Sequence, residues 1–128
     1  MIAVDTNVLV RALVDDPGAP RQTAVARARL KQAQEVYVPQ IVQVEMVWVL
    51  DAAHKLRRSE ILAVLTHLGE NTAFHLQNRA QFEMALTEYG AGNADFADYL
   101  ILAESRAKNM KLLTFDKRLQ KSTGVEAP

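Results

Sequence analysis

Met1-Ile2-Ala3-Val4 runs straight into Asp5-Thr6-Asn7, and near the other end of the chain Lys111-Leu112-Leu113-Thr114-Phe115 runs straight into Asp116. Each is a short apolar stretch that reads as a buried strand ending in a carboxylate. Ligands of an open parallel sheet bind outside the carboxyl ends of its strands. Acids at two such ends can therefore share one crevice although they are far apart in sequence. Glu45, Asp95 and Asp98 offer further carboxylates to that crevice. Carboxylates crowded together repel unless a cation offsets them. The pattern points to a divalent metal and to metal-assisted attack on a phosphodiester.

The rest of the chain fits such a sheet. Val8, Leu9 and Leu13 lie near one face of a helical stretch that ends before the loop Asp15-Asp16-Pro17-Gly18-Ala19-Pro20. Residues 21–33 read as a helix rich in Ala, Arg and Gln. Glu35-Val36-Tyr37-Val38 reads as a strand stopped by Pro39, and residues 40–54 as an unusually apolar helix. Ser59 is a plausible cap for a helix over 60–68 that ends at Gly69. Residues 72–76 form a weak strand. A helix over 79–89 has Phe82, Ala85, Leu86 and Tyr89 near one face, and Gly90-Ala91-Gly92-Asn93 reads as a loop. Residues 94–107 read as a helix, 112–115 as a strand and 124–126 as a short edge strand. Strands alternating with helices predict an α/β fold of three layers, α/β/α, with a central parallel sheet of four to five short strands. The 128 residues suit a single domain over 1–128.

Composition removes several classes. The formal net charge is zero, so overall charge provides no strong attraction to nucleic acid and only local patches can serve. There is no cysteine, which excludes disulfides and thiolate–zinc sites. No apolar run reaches the roughly 18 residues of a membrane span, and the N-terminus lacks the pattern of a signal peptide. A cytoplasmic protein with no membrane association is expected.

Each acid also has a plainer reading. Asp5 can cap the helix that follows it, and Asp116 a turn over 117–119. Glu45 lies in Ile41-Val42-Gln43-Val44-Glu45-Met46-Val47-Trp48, where a charge is costly to bury; alternatively it sits on a narrow solvated stripe with Gln43 or His54 nearby. Asp95 and Asp98 share a helix face, three residues apart; Asp95 alone would suit a helix start. None of these signals is specific singly. Their combination and order are.

At this point the chain resembles the PIN-domain family, and more narrowly its VapC-type toxins. The resemblance covers almost the whole chain. It rests on Val4-Asp5-Thr6-Asn7-Val8-Leu9-Val10, on Glu45 in its apolar helix, on Asp95-Phe96-Ala97-Asp98-Tyr99-Leu100-Ile101, and on Leu113-Thr114-Phe115-Asp116. It implies a magnesium- or manganese-dependent endoribonuclease. The family's four acidic positions carry over to Asp5, Glu45, Asp98 and Asp116. Asp5, Asp98 and Asp116 would hold the metal directly or through water, and Glu45 would orient or deprotonate the attacking water. Thr6 and Thr114 match small polar residues that support the site, and Asn7 helps shape the turn. Asp95 is left between a water-mediated metal contact and a cap. Phe115 stands where some relatives carry a basic residue.

RNA also needs positive charge, and Arg11, Lys117 and Arg118 lie near the strand ends that carry the acids. The resemblance further implies a homodimer and a VapB-type antitoxin that covers the acidic cleft. The apolar surface around Trp48 suits such interfaces. Other readings compete. A PIN-like RNA-processing nuclease need not be a toxin, and an inactive PIN-like module would only bind. A signalling receiver domain has a similar length and an acidic pocket, but it wants an acidic pair after the first strand and a Lys after the last. This chain has a lone Asp5 and Asp116 there.

Overall fold

The strands are two to three residues long, and a parallel neighbour is reached only through a crossover connection. The computed structural model describes residues 1–128, which pack as two compact units, Met1–Gln77 and Asn78–Pro128.

In the first unit β1 (Ile2–Ala3), β2 (Val36–Val38) and β3 (Phe74–Leu76) form a parallel sheet in the order β1-β2-β3. Ile2 pairs with Val36, and Val36 in turn with Phe74. Helices α1 (Thr6–Leu13) and α2 (Pro20–Ala33) connect β1 to β2, and α3 (Gln40–Ala52) and α4 (Arg58–Glu70) connect β2 to β3. Pro20 opens α2 in the first turn, where a missing N–H costs no helix bond. Val4, Leu9, Val38, Met46, Leu50, Leu65 and Leu68 are buried in this unit. The ends of β2 and β3 are strapped to α3. Gln43 is fully buried, and its Nε2 donates to the carbonyls of Val38 at 3.3 Å and Gln77 at 3.0 Å. The Gln77 Oε1 accepts the Gln40 N–H at 2.7 Å.

In the second unit α5 (Arg79–Ala91) packs against α6 (Phe96–Ala107). Phe82 and Tyr89 both meet Phe96 edge-on, with ring centroids 5.7 Å apart in each pair. Strands β4 (Leu112–Leu113) and β5 (Val125–Glu126) pair in parallel, with a 3-10 turn, Leu119–Lys121, between them. Arg106 ties this end to α5: its Nη1 donates to Glu88 at 2.8 Å and its Nη2 to the Thr123 carbonyl at 2.6 Å.

The α/β class, the helix order and all five expected strands are present. The hydrogen bonding departs from one sheet of four to five strands, because it divides them into a three-stranded and a two-stranded sheet. Strands of two residues carry too few ladder bonds for the pattern to dictate their partners. Helix α4 begins before Ser59: Arg57 precedes its first residue and donates its N–H to the Glu60 carboxylate at 2.9 Å. Gly69 lies in the last turn of α4 and does not end it, and α5 runs through Gly90 and Ala91 to Gly92. No helix is long and apolar enough to cross a membrane.

Candidate functional site

Asp5 leaves β1 in an extended conformation and caps α1, its Oδ1 accepting the Val8 N–H at 3.0 Å. The cap reading of Asp5 is therefore correct. It commits one oxygen and leaves Oδ2 outside the cap. Thr6 opens α1, and its hydroxyl donates to Glu45 Oε1 at 3.1 Å, joining residues 39 apart in sequence. Asn7 is exposed in the first turn of α1.

Glu45 is not buried among the apolar side chains of α3. One face of that helix, with Val42, Gln43, Met46, Val47 and Leu50, is buried, while Ile41, Glu45 and Trp48 share an exposed stripe. The spacing of four and three residues places these three on one face. Gln43, one of the two neighbours offered for Glu45 on a solvated stripe, is on the buried face.

The second unit gathers Asp95, Asp98, Asp116 and Arg118. Asp95 is the N-cap residue of α6 but makes no side-chain cap bond, and Asp98 lies in that helix's first turn. Asp98 is half-buried. Burial, then the negative charges of Asp95 and Asp116, push its carboxyl above the usual aspartate value; Arg118 and the Asp95 backbone N–H pull weakly the other way.

Asp116 is held from several directions. Its N–H donates to Thr114 Oγ1 at 3.0 Å, and the Thr114 carbonyl accepts from Gln120 Nε2 at 2.7 Å. Its Oδ1 accepts the N–H of Arg118 at 2.8 Å and, more weakly, that of Leu119 at 3.4 Å. The Arg118 guanidinium closes on both oxygens, Nε to Oδ1 at 3.2 Å and Nη2 to Oδ2 at 3.0 Å. These side-chain bonds from Arg118, followed by the backbone N–H groups, hold the Asp116 carboxyl below its usual value.

The loop before α6 is set by a contact that sequence reasoning missed. The buried Tyr99 hydroxyl accepts the Ala94 N–H at 3.3 Å and lies directly over Gly92, where a Cβ would run into it. Nothing in the sequence singles out this glycine from its neighbours. The Arg118 clasp was also missed as such. Its only signal is an Arg two residues after an Asp that opens a turn.

Of the three basic residues near the acids, Arg11 pairs with Asp16 at 2.7 Å and bonds Gln22 at 2.9 Å, and Arg118 pairs with Asp116. Lys117 is exposed and makes neither kind of bond.

The donors are hard carboxylate oxygens, the type magnesium and manganese prefer. Their arrangement does not fit an ion as it stands, because no three Asp, Glu or His side chains gather closely enough to hold one. The positive charge nearest Asp116 is supplied by Arg118 instead.

A family model described as PIN domain matches residues 2–124. No curated protein matches the chain.

Proposed function

The chain belongs to the PIN-domain family, whose members are generally metal-dependent nucleases, and from that premise we propose that it is an endoribonuclease using Mg2+ or Mn2+ and serving as the toxin of a toxin–antitoxin pair. The observation that supports this reading is the meeting of Asp95, Asp98 and Asp116 in the second unit, where Asp98 is half-buried and its carboxyl is raised by burial and then by its two acidic neighbours.

In this reading Asp5, Asp98 and Asp116 are the residues that would hold the metal. Asp5 offers Oδ2 while Oδ1 keeps α1 capped, so ligation and folding draw on different atoms. Thr114 and Gln120 keep Asp116 in place from behind. Glu45, steadied by the Thr6 hydroxyl, orients or deprotonates a water for attack on phosphorus. Asp95 adds negative charge beside Asp98 without being spent on a cap. A bound divalent ion would supply Lewis acidity that makes hydroxide available near neutral pH and offsets charge on the phosphoryl oxygens. Lys117, free of an internal partner, is the first candidate for an RNA phosphate; Arg11 and Arg118 must first give up their carboxylates.

Exposed apolar side chains support the partners. Ile41 and Trp48, 63% and 55% exposed, flank Glu45 on α3 and suit a homodimer or antitoxin contact. A groove of about 700 Å3, lined by Val8, Val25, Ala26 and Leu30 together with Asp5, Arg11 and Arg29, suits an apolar segment of a VapB-type antitoxin.

The test is cleavage of total RNA by protein freed of any partner. Wild type should cut in the presence of Mn2+, stop on chelation, and resume when the metal is restored; folded Asp98→Asn should not cut. Cleavage that survives both chelation and Asp98→Asn would sink the reading. A second reading, an inactive PIN-like binding module, is favoured by the lack of a gathered three-carboxylate cluster.

A further inference from the structure

From Lys111 to Lys117 exposure alternates. Lys111, Leu113, Phe115 and Lys117 are exposed, while Leu112, Thr114 and Asp116 between them are half-buried. Successive side chains of an extended chain point to opposite faces. Lys111, Leu113 and Phe115 therefore share one face, and Lys117 lies two residues on in the following turn. Phe115, at 84%, is the most exposed large apolar side chain of the protein, and Leu113 is 62% exposed. Lys111 is held by Glu126 at 2.8 Å, whereas Lys117 bonds no group of the chain.

Phe115 is outside the core but fixed in place, because both of its neighbours are bonded. Thr114 donates its N–H to the Glu126 carbonyl at 3.1 Å, and its own carbonyl accepts from Gln120 Nε2 at 2.7 Å. Asp116 donates its N–H to Thr114 Oγ1 at 3.0 Å, and its Oδ1 accepts the Arg118 N–H at 2.8 Å. A ring carried on a backbone held from both sides needs little further ordering to bind. The edge-on aromatic contacts of the chain join Phe82 and Tyr89 to Phe96 and do not involve it.

An open aromatic face with an unpaired ammonium two residues away matches a nucleotide in both its parts. The base offers a π-face to the ring, and the phosphate a negative charge to the lysine. One ring is enough for a base, whereas a stable protein contact buries about 800 Å2 on each side, far more than Leu113 and Phe115 present. A base in a single strand has a free face to offer, while one in a duplex is already stacked.

We propose that Phe115 is a stacking platform for an unpaired base of the RNA, with Lys117 on the adjoining phosphate. This rests on the nuclease reading above and does not require the metal. Phe115 immediately precedes Asp116, so the stacked nucleotide lies beside the acids, and the ring helps choose which part of a single strand is presented to them.

The test is fluorescence anisotropy of a labelled single-stranded oligoadenylate, in EDTA so that no cleavage intervenes. An oligonucleotide of the same length with the ribose-phosphate backbone and no bases serves as the second probe. The full chain is compared as wild type, Phe115→Ala, Phe115→Leu, Phe115→Tyr, Lys117→Gln and Ile101→Ala, the last removing an exposed apolar side chain on α6. Phe115→Ala and Phe115→Leu should weaken oligoadenylate binding about ten-fold, within the worth of one base–aromatic stack. Phe115→Tyr, which keeps the ring, and Ile101→Ala should bind as wild type does. On the probe without bases the Phe115 variants should match wild type. Lys117→Gln should weaken binding of both probes and lower the salt slope by about one.

Wild-type affinity in Phe115→Leu would reduce the ring to an apolar contact and overturn the stack. An equal loss on both probes would do the same, by showing that the ring supports the structure and not a base. Unchanged RNA binding with loss of self-association in Phe115→Ala, seen by sedimentation, would assign the ring to a second copy of the chain and overturn the proposal. Should Phe115→Ala fail to fold, Phe115→Leu decides. Each of these results leaves the nuclease reading intact. If folded wild type binds neither probe, the proposal falls, and the cleavage assay above decides separately whether the nuclease reading falls with it.

Discussion

The Thr6 hydroxyl and the Glu45 carboxylate meet at 3.1 Å, so the residue after Asp5 is tied to the acid on the exposed stripe of α3. The contact is exposed, so its worth to folding is small, and it fixes the direction of a carboxylate that otherwise has several rotamers. Thr6→Ala should cost no more than about 1 kcal/mol of stability yet lower the rate of RNA cleavage several-fold. Thr6→Ser should restore the rate. Denaturant unfolding and cleavage rates on the same preparations decide this; a loss of rate that tracks loss of fold would mean Thr6 is only part of the helix start.

Asp98 gives a pH dependence with a definite sign. Its carboxyl is raised above the ordinary aspartate value of 3.8, chiefly by burial and then by Asp95 and Asp116. Between the ordinary and the raised value the folded chain holds more protons than the unfolded one, so this group's contribution falls as pH rises through that window. At neutral pH the ionised group is a burden on the metal-free fold. Asp98→Asn should therefore match or exceed wild type in metal-free melting temperature at pH 7, and lose that advantage below the ordinary aspartate value, where Asp98 is protonated in both states. A variant that melts well below wild type at pH 7 would assign Asp98 a structural role. Asp116 works in the opposite sense: its lowered carboxyl favours the fold above its window and ceases to as the pH falls through it.

Gly92 is required by the Tyr99 hydroxyl that lies over it. Gly92→Ala drives a Cβ into that oxygen and should destabilise the protein by about 1–3 kcal/mol, as overpacking does. Tyr99→Phe removes the oxygen, so Gly92→Ala should cost much less in that background. Chemical denaturation of the four proteins in the cycle measures the coupling; strictly additive losses would contradict the contact.

Gln43 is a polar residue whose replacement by an apolar one should harm. Gln43→Leu strips the Gln77 carbonyl of a donor, while the Val38 carbonyl keeps the Gln77 N–H at 3.0 Å, and should cost about 1 kcal/mol. Its Oε1 has no partner in wild type, so removing that buried acceptor offsets part of the loss. A Gln43→Leu protein as stable as wild type in urea would show that the Gln77 carbonyl finds another donor.

Local signals made much of this legible. Asp5 and Asp116 stood out because each follows an apolar run and precedes a helical turn, and both do accept backbone N–H groups there. Asp95 and Asp98 were paired by helix spacing, and they do interact. What escaped depends on the path of the backbone. The α3 sequence is so apolar that its periodicity left Glu45 open between a buried place and a narrow solvated stripe; the structure puts Ile41, Glu45 and Trp48 on the exposed stripe and Gln43 on the buried face. The Arg118 clasp requires the turn after Asp116 to fold back on its own carboxylate. The division into two sheets turns on strands two residues long, whose alternation is too brief to set a register.

The central claim is that these carboxylates serve a divalent metal, and Mn2+ binding by calorimetry, wild type against Asp98→Asn, tests it without knowledge of the RNA target. The account predicts binding by the wild-type chain that Asp98→Asn weakens strongly while leaving the fold intact. No binding by folded wild type, or equal binding by both proteins, would contradict it.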